Sequence, residues 1–83
     1  MIEGTQVKID KKNLVELVDF KLSRLRKEIE RILKKWNYIS SNKFLEDARN
    51  GTISEAEHDA IILRNLEDEI DALDHQKTIW LNQ

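Results

Sequence analysis

The stretch VELVDFKLSRLRKEIERILKKWNYI, residues 15–39, decides the fold. Its apolar side chains recur at alternating intervals of three and four residues, a heptad spacing that aligns them along one side of an α-helix. We expect this helix to start between residues 10 and 13, where Asp10 is a good N-cap and where Ile9 and Leu14 have the spacing of a hydrophobic staple. The apolar row consists of Val15, Val18, Leu22, Leu25, Ile29, Ile32, Trp36 and Ile39.

A second row with the same spacing occupies the last part of the chain. Ser54 and Glu57 form an S-x-x-E capping box, so this helix is predicted to start at Ser54 and to run to the terminus. Between the two rows, the sequence predicts a short helical turn over residues 42–49, which Gly51 ends in a left-handed conformation. The second row consists of Leu63, Leu66, Ile70, Leu73, Lys77 and Trp80.

The two rows can be aligned as an antiparallel pair of helices. Residues 8–36 carry ten Lys or Arg against five acidic residues, and residues 53–83 carry eight acidic residues against two basic ones. Opposite charges on the two halves favour the same pairing. The predicted facing pairs are Leu22 with Leu73, Leu25 with Ile70, Ile29 with Leu66, Ile32 with Leu63, Val15 with Trp80 and Ile39 with Ala56. Two facing pairs are mixed, Val18 with Lys77 and Trp36 with Asp59.

The predicted fold is all-α, an antiparallel, coiled-coil-like hairpin of two long helices with a short connecting helical turn. Residues 1–9 would form an N-terminal arm or short strand, and residues 10–83 the helical hairpin domain. One hairpin leaves part of its broad apolar stripe exposed to water, so we predict a homodimer that forms a four-helix bundle. The candidate partner interface consists of Leu14, Leu17, Phe20, Leu33, Trp36, Ile61, Ile62 and Trp80.

Composition excludes several classes of protein. The chain of 83 residues has no Cys, which excludes disulfide scaffolds, thiolate zinc sites and Cys nucleophiles. No apolar run is long enough for a signal-peptide core or a membrane span, so we expect a cytoplasmic protein that does not contact membranes. No carboxylate pair lies on an apolar background and no glycine-rich phosphate loop is present, so we predict that the protein is not an enzyme.

Three motifs suggest metal binding at first sight. The segment EDARNGTISEAE, residues 46–57, matches an EF-hand loop only in its second half, because Ala48 offers no side-chain oxygen at the third position. We interpret it as a turn between helices. Glu55 and His58 have the E-x-x-H spacing of di-iron bundles, and Asp71 and His75 lie four residues apart. Both pairs are interpreted as solvated residues on an acidic face, so no metal or other cofactor is predicted.

One flank of the first long helix is basic. A stripe of this kind can follow the phosphates of nucleic acid. Glu28 and Glu30 interrupt it, and the acidic second helix would neutralise part of it, so we interpret it mainly as a solvated helix face. This candidate basic patch consists of Lys21, Arg24, Lys27, Arg31, Lys34 and Lys35.

The stretch VKIDKKNLVELVD, residues 7–19, resembles the start of ribbon-helix-helix and related antitoxins, in which a short strand precedes a capped helix. The resemblance implies strands that pair across a dimer and enter the major groove of DNA. That fold also needs a turn soon after its first helix, whereas the heptad row here continues to residue 39.

The predicted function is a non-enzymatic protein–protein interaction module, such as a small scaffold, adaptor or regulatory subunit. Its expected partner is a second copy of the chain, and an unknown protein partner is a further option. The alternative is a small antitoxin-like or DNA-associated regulator that uses its basic N-terminal helix. A gel-shift that weakens steeply with salt would favour the alternative.

Overall fold

A computed structural model describes residues 11–82. This part of the chain forms three α-helices and no strand: α1 (Lys11–Lys35), α2 (Ser41–Arg49) and α3 (Glu57–Leu81). The predicted all-α class is thus confirmed. Helix α1 begins inside the predicted window, whereas the arm over residues 1–9, the Asp10 cap and the staple residue Ile9 lie outside the described residues.

Helices α1 and α3 pack against each other in opposite directions. At one end, Trp36 Nε1 donates a hydrogen bond to Asp59 Oδ2 over 2.9 Å. At the other end, Lys77 Nζ donates to the Asp19 carboxylate. The first half of α1 therefore contacts the last part of α3, and the end of α1 contacts the start of α3. These contacts reproduce the predicted antiparallel hairpin and, to within about a residue, its register.

Ion pairs link the two long helices along both flanks of their contact. Lys21 Nζ lies 3.1 Å from Glu69 Oε2, and an Arg26 guanidinium nitrogen lies 3.7 Å from Asp74 Oδ2. All four side chains are 43–57% exposed, so each pair contributes little to stability. The basic first half and the acidic second half face each other, as their charges predicted.

Helix α1 ends earlier than its heptad row. Asn37 adopts the left-handed conformation with φ 63°, which Asn tolerates better than most residues. The Tyr38 N–H donates to the Leu33 carbonyl over 2.8 Å and the Asn37 N–H to the Lys34 carbonyl over 3.1 Å, the bond pattern of a Schellman motif. The predicted inclusion of Ile39 in the row, opposite Ala56, is wrong, because Ile39 lies beyond this turn and is 99% exposed.

The short helix α2 agrees with the prediction of a helical turn at 42–49. It begins one residue earlier than predicted, after the Ser40 N-cap, whose hydroxyl accepts a hydrogen bond from the Lys43 N–H over 3.2 Å. Gly51 follows its end with φ 87°, the left-handed conformation that glycine adopts most readily.

The predicted start of the last helix at Ser54 is wrong. Helix α3 begins at Glu57, and its N-cap Ala56 offers no side-chain acceptor. The Ile53 N–H instead donates to the Asp47 carbonyl, which keeps residues after Gly51 in a turn. Ala56 is fully buried, so the entry to α3 is fixed by packing instead of by the capping box.

The core lies at the closed end of the hairpin, where α2 meets both long helices. Phe44 of α2 is fully buried and its ring contacts the rings of Trp36 and Tyr38 at centroid distances of 6.3 and 5.4 Å. The buried members of this cluster are Ile32, Leu33, Phe44, Ala56 and Leu63. Ile29 and Leu66 pack against it, so two predicted layers of the hairpin belong to this core.

Candidate interaction surface

The predicted partner interface divides into three groups. Leu17, Phe20, Ile61 and Ile62 are 66%, 64%, 55% and 36% exposed. Leu33 is buried in the core of the single chain. The third group is half-buried and consists of Leu14, Trp36 and Trp80. Four of the eight residues therefore present large apolar side chains to solvent.

Leu17 and Phe20 form an exposed apolar pair on α1, which we call the knob. Phe20 lies two residues from both Val18 and Leu22, which are buried at the contact with α3. Two residues correspond to more than half a helical turn, so Phe20 lies outside the buried row of α1. Leu17, Phe20 and Arg24 line a groove of about 460 Å³ along the contact between α1 and α3, where Leu25 and Leu66 lie.

A second groove, which we call the α2–α3 groove, was not predicted from the sequence. It has a volume of about 460 Å³ and apolar lining residues Leu45, Ala48, Ala60 and Ile61. Charged side chains at its rim are Glu46, Arg49, Glu57 and Arg64. The only sequence signal was the spacing of Leu45 and Ala48 beside Phe44, which gives α2 a second apolar face.

The predicted basic patch also divides. Lys21 and Lys35 reach α3, where they pair with Glu69 and Asp59. Arg31 pairs within α1 with Glu28 at 3.3 Å. The remaining members, Arg24, Lys27 and Lys34, are exposed and form no ion pair with another residue of the 11–82 range. Helix α3 thus forms ion pairs with the cations at one edge of the basic patch. The cations at the outer edge of the patch form no ion pair with it.

Asp59 joins the start of α3 to the end of α1. Its Oδ2 accepts hydrogen bonds from Lys35 Nζ and from Trp36 Nε1, each over 2.9 Å. The Lys35 hydrogen bond, followed by that of Trp36, holds the pKa of the Asp59 carboxyl below its usual value. Because the Asp59 side chain is only 16% exposed, these two donors stabilise a largely covered carboxylate.

A second polar contact, missed in the sequence, joins α2 to the segment before it. Tyr38 Oη donates to Asp47 Oδ2 over 2.6 Å, and Lys43 Nζ lies 3.4 Å from Asp47 Oδ1. The Asp47 hydrogen bond raises the pKa of the Tyr38 phenol, because ionisation would remove the donated proton. Asp47 is buried, and these partners satisfy its charge.

The segment that resembles half of an EF-hand loop is a structured turn. Asn50 Oδ1 accepts hydrogen bonds from both the N–H and the hydroxyl of Thr52, at 2.9 and 2.6 Å. The oxygen at the fifth position of the motif is therefore used within the turn. Across residues 11–82, the His, Asp and Glu side chains do not assemble a group of three or more that could hold a metal ion. The Glu55–His58 and Asp71–His75 pairs are solvent-exposed.

Comparison of the chain with family models, with curated proteins and with solved structures finds no match in any of the three. Among the helices of the described part, none has the length and apolar character needed to cross a membrane.

Proposed function

We propose that this protein is a non-enzymatic protein–protein interaction module, a small scaffold, adaptor or regulatory subunit. The observation that carries the proposal is the exposure of Leu17 and Phe20 on α1 and of Ile61 on α3, each more than half exposed. Large apolar side chains grouped beside grooves favour burial against another protein, since that removes apolar area from water.

The first partner we propose is a second copy of the chain. Two hairpins contribute four helices to one assembly, in keeping with the four-helix bundle that the heptad rows predict. The shape of the chain supports this proposal. Its long dimension is 58 Å and its shortest only 17 Å, so one chain is too thin to cover both sides of its long helices.

Sedimentation equilibrium over a range of concentrations tests the proposal. We expect a mass above that of one chain at micromolar to millimolar concentration, and a single-chain mass when Leu17, Phe20, Ile61 and Ile62 are all replaced by Ser. Ile39→Ser is the matched control, because Ile39 is exposed but lies in the turn between α1 and α2. A wild-type chain that stays monomeric at about 1 mM would contradict self-association, since that limit corresponds to a binding free energy weaker than about 4 kcal/mol.

The outer cations of α1 favour a second candidate function, that of a small DNA-associated regulator. Arg24, Lys27 and Lys34 are exposed and form no ion pair with other residues of the described range. Such a regulator would shift duplex DNA in a gel at low salt, and the shift would weaken steeply as salt is added. Replacing the three cations by Gln would abolish the shift, and the absence of any shift at low salt would contradict this candidate.

A further inference from the structure

The knob on α1 and the α2–α3 groove lie on opposite sides of the hairpin. Phe20 is two residues from the buried Leu22 and lines the groove along the α1–α3 contact, whereas Ile61 is two residues from the fully buried Leu63 and lines the separate groove beside α2. One copy therefore cannot bring its own knob into its own groove. A second copy can.

The charged residues that come after Leu17 on α1 have the opposite sign to those that come after Ile61 on α3. Arg24 and Lys27 lie seven and ten residues after Leu17, and Asp68 and Asp71 lie seven and ten residues after Ile61. All four charged residues are exposed, and none forms an ion pair with another residue between positions 11 and 82. Intervals of seven and ten residues keep side chains on one face of a helix. The two basic residues of α1 and the two acidic residues of α3 therefore have the same spacing along their helices and opposite charges.

We propose that the Leu17–Phe20 knob of one copy docks in the α2–α3 groove of a second copy, with α1 parallel to the α3 that it meets. This inference rests on the proposed self-association, and its open-ended contact differs from the closed four-helix bundle of a homodimer. Leu17 packs on Ile61, while Arg24 and Lys27 face Asp68 and Asp71. When Leu17 lies opposite Ile61, Phe20 lies opposite Arg64. The Phe20 ring and the Arg64 guanidinium then form a favourable cation–π contact.

Like-charge repulsion argues against the two simplest alternatives. A parallel, in-register contact between two α1 outer faces would bring Arg24 and Lys27 against the same cations of the other copy. A parallel, in-register contact between two α3 outer faces would bring Asp68 and Asp71 together. The pairing of α1 with α3 avoids both repulsions, and electrostatic complementarity of this kind mainly sets which surfaces meet.

The proposed contact is heterologous, because it joins two different surfaces. Each pair of copies keeps one knob and one groove uncovered, so further copies can add in the same way. We therefore expect the average mass to rise continuously with concentration, whereas a closed dimer would reach a plateau at two chains.

Two complementary variants test this contact. L17D/F20D removes the knob and keeps the groove, and I61D disables the groove and keeps the knob. Both substitute exposed residues, so the fold should be retained, which circular dichroism checks. We expect each variant alone to be monomeric, with a dissociation constant raised at least about 10-fold. Mixed together they should form a one-to-one dimer and nothing larger.

A charge exchange gives an independent readout. R24E/K27E and D68K/D71K should each self-associate about 10-fold more weakly, and an equimolar mixture should recover wild-type affinity. I39D is the control, since Ile39 is exposed and lies outside both surfaces. Restoration in neither mixture, with wild-type protein still associating, would overturn this contact and leave the proposed function standing. A monomeric wild-type chain would overturn this contact together with the proposed self-association.

Discussion

At the scale of single residues, two carboxylates hold the closed end of the hairpin together. Asp59 accepts hydrogen bonds from Lys35 and Trp36 at the end of α1. Asp47 accepts a hydrogen bond from Tyr38 and forms an ion pair with Lys43. Each carboxylate therefore joins segments that heptad packing alone does not connect. Both contacts change the pKa of an ionisable group, and each gives a prediction that titration can check.

The chain has a single tyrosine, so its ionisation can be followed by ultraviolet absorbance. We expect the titration midpoint of Tyr38 to lie above 10.0, because the phenol donates its proton to the Asp47 carboxylate. Whatever stability this bond contributes is present at lower pH and is lost as pH rises through the raised pKa. Asp47→Ala should lower the midpoint, because the Asp47 hydrogen bond is the largest cause of the raised pKa. An unchanged midpoint in that variant would show that Asp47 does not hold the phenol.

Acid should weaken the closed end through Asp59. An unfolded Asp carboxyl titrates near 3.8 and the pKa of Asp59 is lowered in the folded chain, so its contribution is complete above that value and is lost as pH falls below it. Asp59→Ala should therefore destabilise the protein at neutral pH by about 1–3 kcal/mol, because the Trp36 donor loses its charged partner.

Urea denaturation measured between neutral pH and about pH 2 checks this prediction. The difference in the free energy of unfolding between wild type and Asp59→Ala should shrink as the carboxyl of the wild type becomes protonated. Glu46→Ala is a suitable control, since Glu46 is an exposed acidic residue of α2. A difference that stays constant down to the lowest pH would mean that the Asp59 charge does not contribute.

At the scale of the helices, the heptad row distinguishes buried positions, where a substitution lowers stability, from exposed positions, where it has little effect. Leu22 is 2% exposed, whereas Leu17, five residues earlier on the same helix, is 66% exposed. In dilute protein we expect Leu22→Ala to lower the free energy of unfolding by about 2–5 kcal/mol and Leu17→Ala to change it by less than about 0.5 kcal/mol. Similar losses in the two variants would contradict the orientation of α1.

Periodicity predicted the helices well because it reports which face of a helix is buried. The rows containing Leu22 and Leu63 placed α1 and α3, and Gly51 marked the end of α2 because its backbone conformation favours glycine. The spacing of apolar residues does not indicate where a helix ends or where its contact with the neighbouring helix ends. Ile39 continued the row by three residues, but a left-handed Asn37 had already turned the chain.

The ends of helices and the grooves were harder to predict, because they depend on contacts between distant segments. The letters of a capping box at Ser54 did not decide the start of α3, since burial of Ala56 fixed it at Glu57. Half of the predicted partner residues are exposed, but burial of Leu33 depends on where α2 lies. No local pattern in the sequence specifies that position.

At the scale of the whole molecule, the chain is an elongated body with an uneven core. Its Cα radius of gyration is 17.5 Å, against about 12 Å for a compact domain of this length. The packed cluster around Phe44 lies at the closed end, while only Val18 and Leu22 are buried in the other half of α1. Stability should therefore decrease from the closed end to the open end.

Amide hydrogen exchange should show this gradient directly. We expect the slowest exchange in residues 29–35 and 60–66, which carry the core cluster, and the fastest exchange within the described helices at residues 75–81, because few buried apolar contacts hold them. Measurement in dilute protein separates this effect from self-association. Equal protection along α3 would mean that the hairpin opens as one unit.

The contact between Lys77 and Asp19 has a consequence for chain connectivity. It brings the C-terminal part of α3 beside the N-terminal part of α1, so a short linker could join Asn82 to Lys11. New termini could then be opened at Ile39, a solvent-exposed residue outside the helices. We expect a circular permutant of this kind, in which the helices follow in the order α2, α3, α1, to keep all three helices, because the new termini lie in an exposed turn.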